Sequence, residues 1–139
     1  MIDFTISTDK SLLDIETIHD YLSNRSYWAK GRSLETVKRS IENCLCFGVY
    51  GCSGKLIGFA RVLTDYAVFA YLMDVFILEE YRNQGLAKGL MKSIMTHSDL
   101  QGLQRFMLAT SDAHKLYEQF GFRVTAMPEK LMEIVNKPR

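Results

Sequence analysis

Residues Arg82-Asn83-Gln84-Gly85-Leu86-Ala87 place a cation, a glycine and a small residue between an apolar run and an amphipathic one. That order predicts a buried strand, a short turn carrying Arg82, and a helix opened by Gly85. The first N–H groups of a helix have no partner within it, and the helix dipole is positive there, so such a junction can hold phosphate. Little bulk at positions 85 and 87 lets the backbone approach phosphate oxygens closely. No Gly-Lys-Ser/Thr closes the turn as in a P-loop, and the Gly-x-Gly-x-x-Gly of a dinucleotide fingerprint is absent. The expected ligand is the pyrophosphate of a nucleotide-like cofactor.

A second candidate is Asp74, one carboxylate inside the apolar run Val68–Leu78. Burial disfavours the charged form of a carboxyl group, which would fit it for base work, and structural hydrogen bonding is the equal alternative. Glu79 and Glu80 at the end of that run read as exposed charges. Tyr117 lies on an apolar stripe with Ala113, Leu116 and Phe120 at helical spacing, which by itself describes a core residue. The loop Ser26–Arg32 holds Tyr27, Trp28, Lys30 and Arg32. Cys44, Cys46 and Cys52 lack metal-site spacing, and His19, His97 and His114 are scattered, so buried free thiols and no metal are expected.

These residues need elements to position them. Asp3–Ser7 reads as a strand, and Ser11 with Asp14 as the start of a helix through Leu12, Ile15, Ile18 and Leu22. Ser33 can cap a second helix bearing Leu34, Val37 and Ile41. Leu45–Tyr50 and Leu56–Leu63 flank the hairpin turn Gly51–Gly54, and Val68–Leu78 is apolar on both faces and so central. The helix after Gly85 carries Leu86, Ala87, Leu90, Met91, Ile94 and Met95 along one side. Arg105–Ala109 is the next strand. Thr110 or Ser111 can cap a fourth helix that Gly121 ends, and Phe122–Val124 and Leu131–Val135 read as closing strands.

The chain of 139 residues, 47% hydrophobic and 24% charged, has the length and composition of one soluble α/β (mixed α+β) domain, residues 1–139. Its net charge of +1 argues against nucleic acid or a membrane surface as partner. No basic segment with a following apolar run opens the chain, so a signal peptide is not expected and a cytoplasmic location is.

Arg82-x-x-Gly85-x-Ala87 and the later Leu116-Tyr117-x-x-x-Gly121-Phe122 together resemble the two signatures of the GCN5-related N-acetyltransferase (GNAT) superfamily, and the element order matches over nearly the whole chain. The resemblance implies a mostly antiparallel sheet of six to seven strands flanked by about four helices. Two neighbouring strands, Val68–Leu78 and Arg105–Ala109, splay apart in it to admit acetyl-coenzyme A. It further implies that Val75, Phe76 and Ile77 offer backbone groups to the acetyl-pantetheine arm. Asn83, Gln84, Gly85, Leu86, Ala87 and Lys88 cradle the pyrophosphate while Arg82 orders the turn, and Tyr117 stands near the cofactor sulfur. Many relatives carry Asn seven positions before that tyrosine, where this chain has Thr110. Tyr27, Trp28 and Arg61, with Tyr66 beside them, would wall the acceptor side, which suits an acceptor with an apolar or carboxylate-bearing portion. The implied activity is acetyl transfer to a primary amine of a small molecule or peptide by direct attack, releasing coenzyme A, with Asp74 as candidate base. A non-catalytic acyl-coenzyme A sensor is the alternative, and relatives commonly form homodimers.

Overall fold

The computed structural model describes residues 2–136. Five strands form one sheet in the order β1 (Phe4–Ser7), β2 (Leu45–Gly51), β3 (Leu56–Thr64), β4 (Phe69–Ile77) and β5 (Arg105–Leu108). Pairing is antiparallel from β1 through β4, and β5 runs parallel to β4. The helices are α1 (Ile15–Asp20), α2 (Leu34–Glu42), α3 (Leu86–Thr96) and α4 (His114–Glu118). A parallel pair needs a crossover between its strands, and α3 supplies it.

Local chemistry sets the helix ends. Asp14, not Ser11, caps α1 by accepting the Thr17 N–H at 3.1 Å, because Ser11 is taken up in a tight turn capped by Asp9. Past Asp20 the helix continues as one wider turn through Arg25. Ser33 caps α2 as its position predicts, accepting the Thr36 N–H. Gly121, at φ +96°, ends the α4 turn, and the Phe122 N–H then returns to the Tyr117 carbonyl, satisfying a carbonyl that the helix end leaves open.

The sheet separates two cores. Leu86, Leu90, Met91 and Ile94 of α3 bury against Phe47, Val49, Ala60, Val62, Ala70 and Leu72. Ile18, Leu22, Val37 and Ile41 of the α1–α2 side bury against Cys46, Phe59 and Phe76. Side chains alternate across a strand, so Ala70, Leu72 and residue 76 should share a face. They do not, because Asp74 and Val75 together stand opposite the single residue Ala60 between the pairs Met73–Arg61 and Phe76–Phe59. This is a β-bulge, with Asp74 at φ +55°, and one extra residue exchanges the faces beyond it.

The closing strands expected at Phe122–Val124 and Leu131–Val135 do not form. The sheet has five strands rather than six or seven. From Arg123 onward, the backbone hydrogen bonds between described residues only close a turn at Pro128–Lys130, and Met132, Ile134 and Val135 stay exposed. A three-residue segment offers few ladder bonds against its ordering cost, and Pro128 has no N–H to give.

Candidate active site

β4 and β5 pair only from Phe69–Leu72 with Arg105–Leu108. Beyond Leu72, β4 continues through Ile77 with its β3 side bonded and its β5 side free, so the expected gap between the strands is present. Two cavities meet along it. The larger, about 920 Å³, is lined by Val75, Phe76, Ile77, Arg82, Asn83, Gly85, Leu86, Ala87, Lys88 and Tyr117, among others. The smaller, about 460 Å³, is lined by Tyr27, Trp28, Arg32, Arg61, Tyr71, Asp74, Thr110, Asp112 and Tyr117, among others. Tyr27, Trp28, Val75, Asp112, Ala113 and Tyr117 belong to both.

The turn into α3 matches the phosphate-site expectation in backbone terms. Asn83 and Gly85 both adopt positive φ, +63° and +81°, and the first helical bond runs from the Gly89 N–H to the Gly85 carbonyl. The N–H groups of Leu86, Ala87 and Lys88 therefore precede the helical ladder. Arg82 orders this turn. Its Nε donates to the Ile77 carbonyl at 3.0 Å and its Nη2 to the Tyr21 hydroxyl at 2.6 Å, tying the end of β4 to the α1 side. Gln84 sits in the turn but not on the cavity wall, and Lys88 is exposed on the first turn of α3.

Tyr117 is buried at the junction. Burial pushes its phenol up to about 12, and Tyr27 and Asp112 push the same way. Among the described residues no side chain or backbone group hydrogen-bonds its hydroxyl, and its ring stands edge-on to Phe122. Thr110, expected on the cofactor, lines the smaller cavity. Its oxygen accepts the Ala113 N–H at 3.0 Å, so it opens the turn into α4.

Asp74 is buried, and both of its oxygens are occupied. Oδ1 accepts the Trp28 indole N–H at 2.9 Å, and Oδ2 accepts from Arg32 Nη1 at 2.9 Å and Arg61 Nε at 2.6 Å. Positive φ at a non-glycine residue costs of order 1–3 kcal/mol. Charge-assisted bonds of this kind are among the strong ones and hold the bulge in place. Burial works against the Arg61 charge, but the Asp74 charge and hydrogen bond outweigh it and raise the guanidinium pKa. A carboxylate has about four acceptor sites and Asp74 uses three of them, so the geometry favours the structural alternative over base work. It anchors the Ser26–Arg32 loop to the sheet.

Of the loop residues, Tyr27 and Trp28 reach the smaller cavity as expected and Arg61 faces it from β3, whereas Lys30 does not line it. Tyr66 is exposed in the β3–β4 turn, away from both cavities. Glu79 is exposed but paired, its Oε2 accepting from Arg25 at 3.2 Å. Sequence reasoning left Arg32 without a partner and passed over Asp112 and Tyr71. A lone carboxylate in an apolar strand demands cations, and that demand pointed to Arg32. Cys44 and Cys46 are buried and line neither cavity, and burial pushes the Cys46 thiol up to about 12. Cys52 is exposed in the β2–β3 turn, contrary to the expectation of three buried thiols. Among the described residues no group of His, Cys, Asp or Glu is placed to hold a metal, and no helix is long and apolar enough to cross a membrane.

Comparison with known proteins converges on one family. A Gibberella zeae protein classed among acetyltransferases is 28% identical over 136 residues, covering 83% of this chain and 76% of its own length. The chloroplastic GCN5-related N-acetyltransferase 2 of Arabidopsis thaliana is 35% identical over 88 residues, 61% of this chain and only 33% of its own length. The crystal structure of a GNAT-family protein from Xanthomonas campestris pv. campestris superposes with a TM-score of 0.94 at 51% identity, covering 98% of this chain and 95% of that one. The acetyltransferase (GNAT) family matches residues 15–122, from the start of α1 to the Phe122 that packs on Tyr117. The chain belongs to the GNAT acetyltransferase family.

Proposed function

We propose that the chain is an N-acetyltransferase that moves an acetyl group from acetyl-coenzyme A to a primary amine by direct attack within a ternary complex. The observation that carries this reading is the free edge of β4 running into the Gly85 turn, with Tyr117 where the two cavities meet. Acetyl-coenzyme A supplies the acetyl group as an activated thioester and leaves as coenzyme A. Along Val75–Ile77, the N–H and C=O groups facing away from β3 would pair with the acetyl-pantetheine arm, apart from the Ile77 carbonyl, which Arg82 holds. The N–H groups of Asn83–Lys88 would surround the pyrophosphate, with Arg82 holding the turn in shape.

As the amine nitrogen bonds to the acetyl carbon, the carbon–sulfur bond breaks and negative charge collects on sulfur. Tyr117 faces that charge. A thiol titrates near roughly 8.5, well below the phenol at about 12, so Tyr117 donates a hydrogen bond and keeps its proton. The proton for the sulfur comes from solvent. The proton shed by the nitrogen goes to solvent through the open smaller cavity, since Asp74 is held by Trp28, Arg32 and Arg61. Direct attack rather than an acyl-enzyme follows from the cysteines, two buried off the cavities and one on a distant turn.

The test is release of free thiol from acetyl-coenzyme A against a broad amine panel, paired with thermal shift by the cofactor. A rise in melting temperature with release on at least one amine class supports the proposal. No shift at millimolar cofactor sinks it, and a shift without release on any amine favours the sensor alternative.

A further inference from the structure

The smaller cavity is electrically lopsided. Asp74 neutralises one guanidinium, yet two are bound to it, so a surplus positive charge remains there. Arg61 is locked by its second contact, Nη1 to the Cys44 sulfur at 3.3 Å. Arg32 differs. It donates through Nη1 alone among the described residues, its side chain is 23% exposed, and it lines the cavity. Its remaining N–H groups can take a second carboxylate, and guanidinium recognises carboxylates in forked geometry.

The same cavity carries the opposite sign. Asp112 lines it and is exposed, and its charge helps to raise the phenol of Tyr117. Tyr27, Trp28 and Tyr71 add aromatic wall. A pocket with a surplus cation, a carboxylate and aromatic walls suits a zwitterion. Its volume of about 460 Å³ limits the acceptor to a small one.

Resting on the acetyltransferase reading, we infer that the acceptor is a free amino acid with an apolar or aromatic side chain, its carboxylate held by Arg32 and its amine turned toward Asp112 and Tyr117. Polyamines meet the surplus cation without a counter-charge, and amines lacking a carboxylate leave Arg32 unused.

The experiment compares matched acceptors differing by one carboxylate: phenylalanine with phenethylamine and with phenylalaninamide, and leucine with isopentylamine. Losing a charge-assisted hydrogen bond corresponds to about a ten- to hundredfold effect, so kcat/KM is expected to fall by that factor from acid to decarboxylated amine. Arg32→Gln should lower kcat/KM for phenylalanine about tenfold or more beyond any loss on phenethylamine, because loosening of the loop that Arg32 helps anchor acts on both amines alike and cancels in their ratio, with Arg32→Lys recovering part of the difference. Coenzyme A affinity by calorimetry, unchanged in both variants, shows that the fold persists. Equal use of phenylalanine and phenethylamine, or equal losses on both in Arg32→Gln, overturns the inference while leaving acetyl transfer standing. If no amine is turned over, calorimetry on the coenzyme A-loaded protein decides. Phenylalanine binding that Arg32→Gln abolishes supports the assignment, and binding of neither or of both partners overturns it.

Discussion

About half of the larger cavity's wall comes from Val75–Lys88, the strand end, turn and helix start whose free groups are backbone, and the rest from Tyr21–Trp28 and Asp112–Tyr117. The smaller draws on four separated segments, around Trp28, Arg61, Asp74 and Asp112, and includes charged and aromatic residues from each side of the cleft. On the proposed function, the first arrangement would recognise what every substrate pair shares, a pantetheine arm and a pyrophosphate, through strand geometry and helix-end N–H groups. The second would recognise what differs between acceptors. One binding task is written locally and the other across the fold, so a single chain can keep its cofactor site while its acceptor site changes.

The largest effect should come from cutting the acceptor side at its anchor. Asp74→Ala leaves two guanidiniums and an indole N–H around an empty position, and removing one partner of a buried ion pair typically costs about 3–5 kcal/mol. Denaturant unfolding should show a loss of this order, with the Ser26–Arg32 loop becoming susceptible to protease. A loss below about 1 kcal/mol, the range of exposed ion pairs, would mean that the cluster does not hold the loop.

Tyr117→Phe comes next, at the junction. Removing one hydrogen bond to developing charge predicts a kcat lower by about ten- to hundredfold, with coenzyme A affinity nearly unchanged. Equal losses in kcat and affinity would place Tyr117 in ground-state binding. The raised pKa adds a pH signature. Tyr117 stays protonated well past the ordinary phenol value, so the rate should show no alkaline limb near pH 10. The sign for stability follows. A folded-state pKa raised by burial favours the neutral phenol, so this contribution is intact below the unfolded pKa near 10 and is lost as pH rises toward about 12.

The two sides also differ in how far they could be read from the chain. Strand, turn and helix over Val75–Met91 follow from periodicity and from Gly85, and their ligand groups are backbone, so locating the element locates the site. The acceptor side resists such reading. That Asp74 is bonded to Trp28, Arg32 and Arg61 depends on a bulge, which leaves no mark in the alternation until the register with β3 is known. Spacing offers Thr110 or Ser111 as the cap of α4, but the helix starts later, with Ala113 at its N-cap and no side-chain cap, and Thr110 instead holds the turn before it. The strands expected after Phe122 rested on apolar alternation alone, and alternation supplies no hydrogen-bond partner.

Gly85→Ala probes the cofactor side through backbone shape. A left-handed conformation costs a non-glycine residue roughly 1–2 kcal/mol, and Gly85 sits at φ +81°. Unfolding free energy should fall by about that amount, with a several-fold weaker coenzyme A affinity as the turn relaxes. Unchanged affinity alongside lost stability would separate the turn from phosphate binding.

Lys88→Gln should do least, and that smallness sharpens the contrast. Lys88 is exposed on the first turn of α3, where its charge acts through solvent, and exposed charge pairs contribute about 0.2–1 kcal/mol. Coenzyme A affinity measured by calorimetry should therefore weaken no more than about fivefold, with the difference shrinking as salt rises through the screening range. Stability should not change. A loss of a hundredfold would show that the pyrophosphate is gripped by a side chain after all, and the division between a backbone-built cofactor wall and a side-chain-built acceptor wall would fail at that residue.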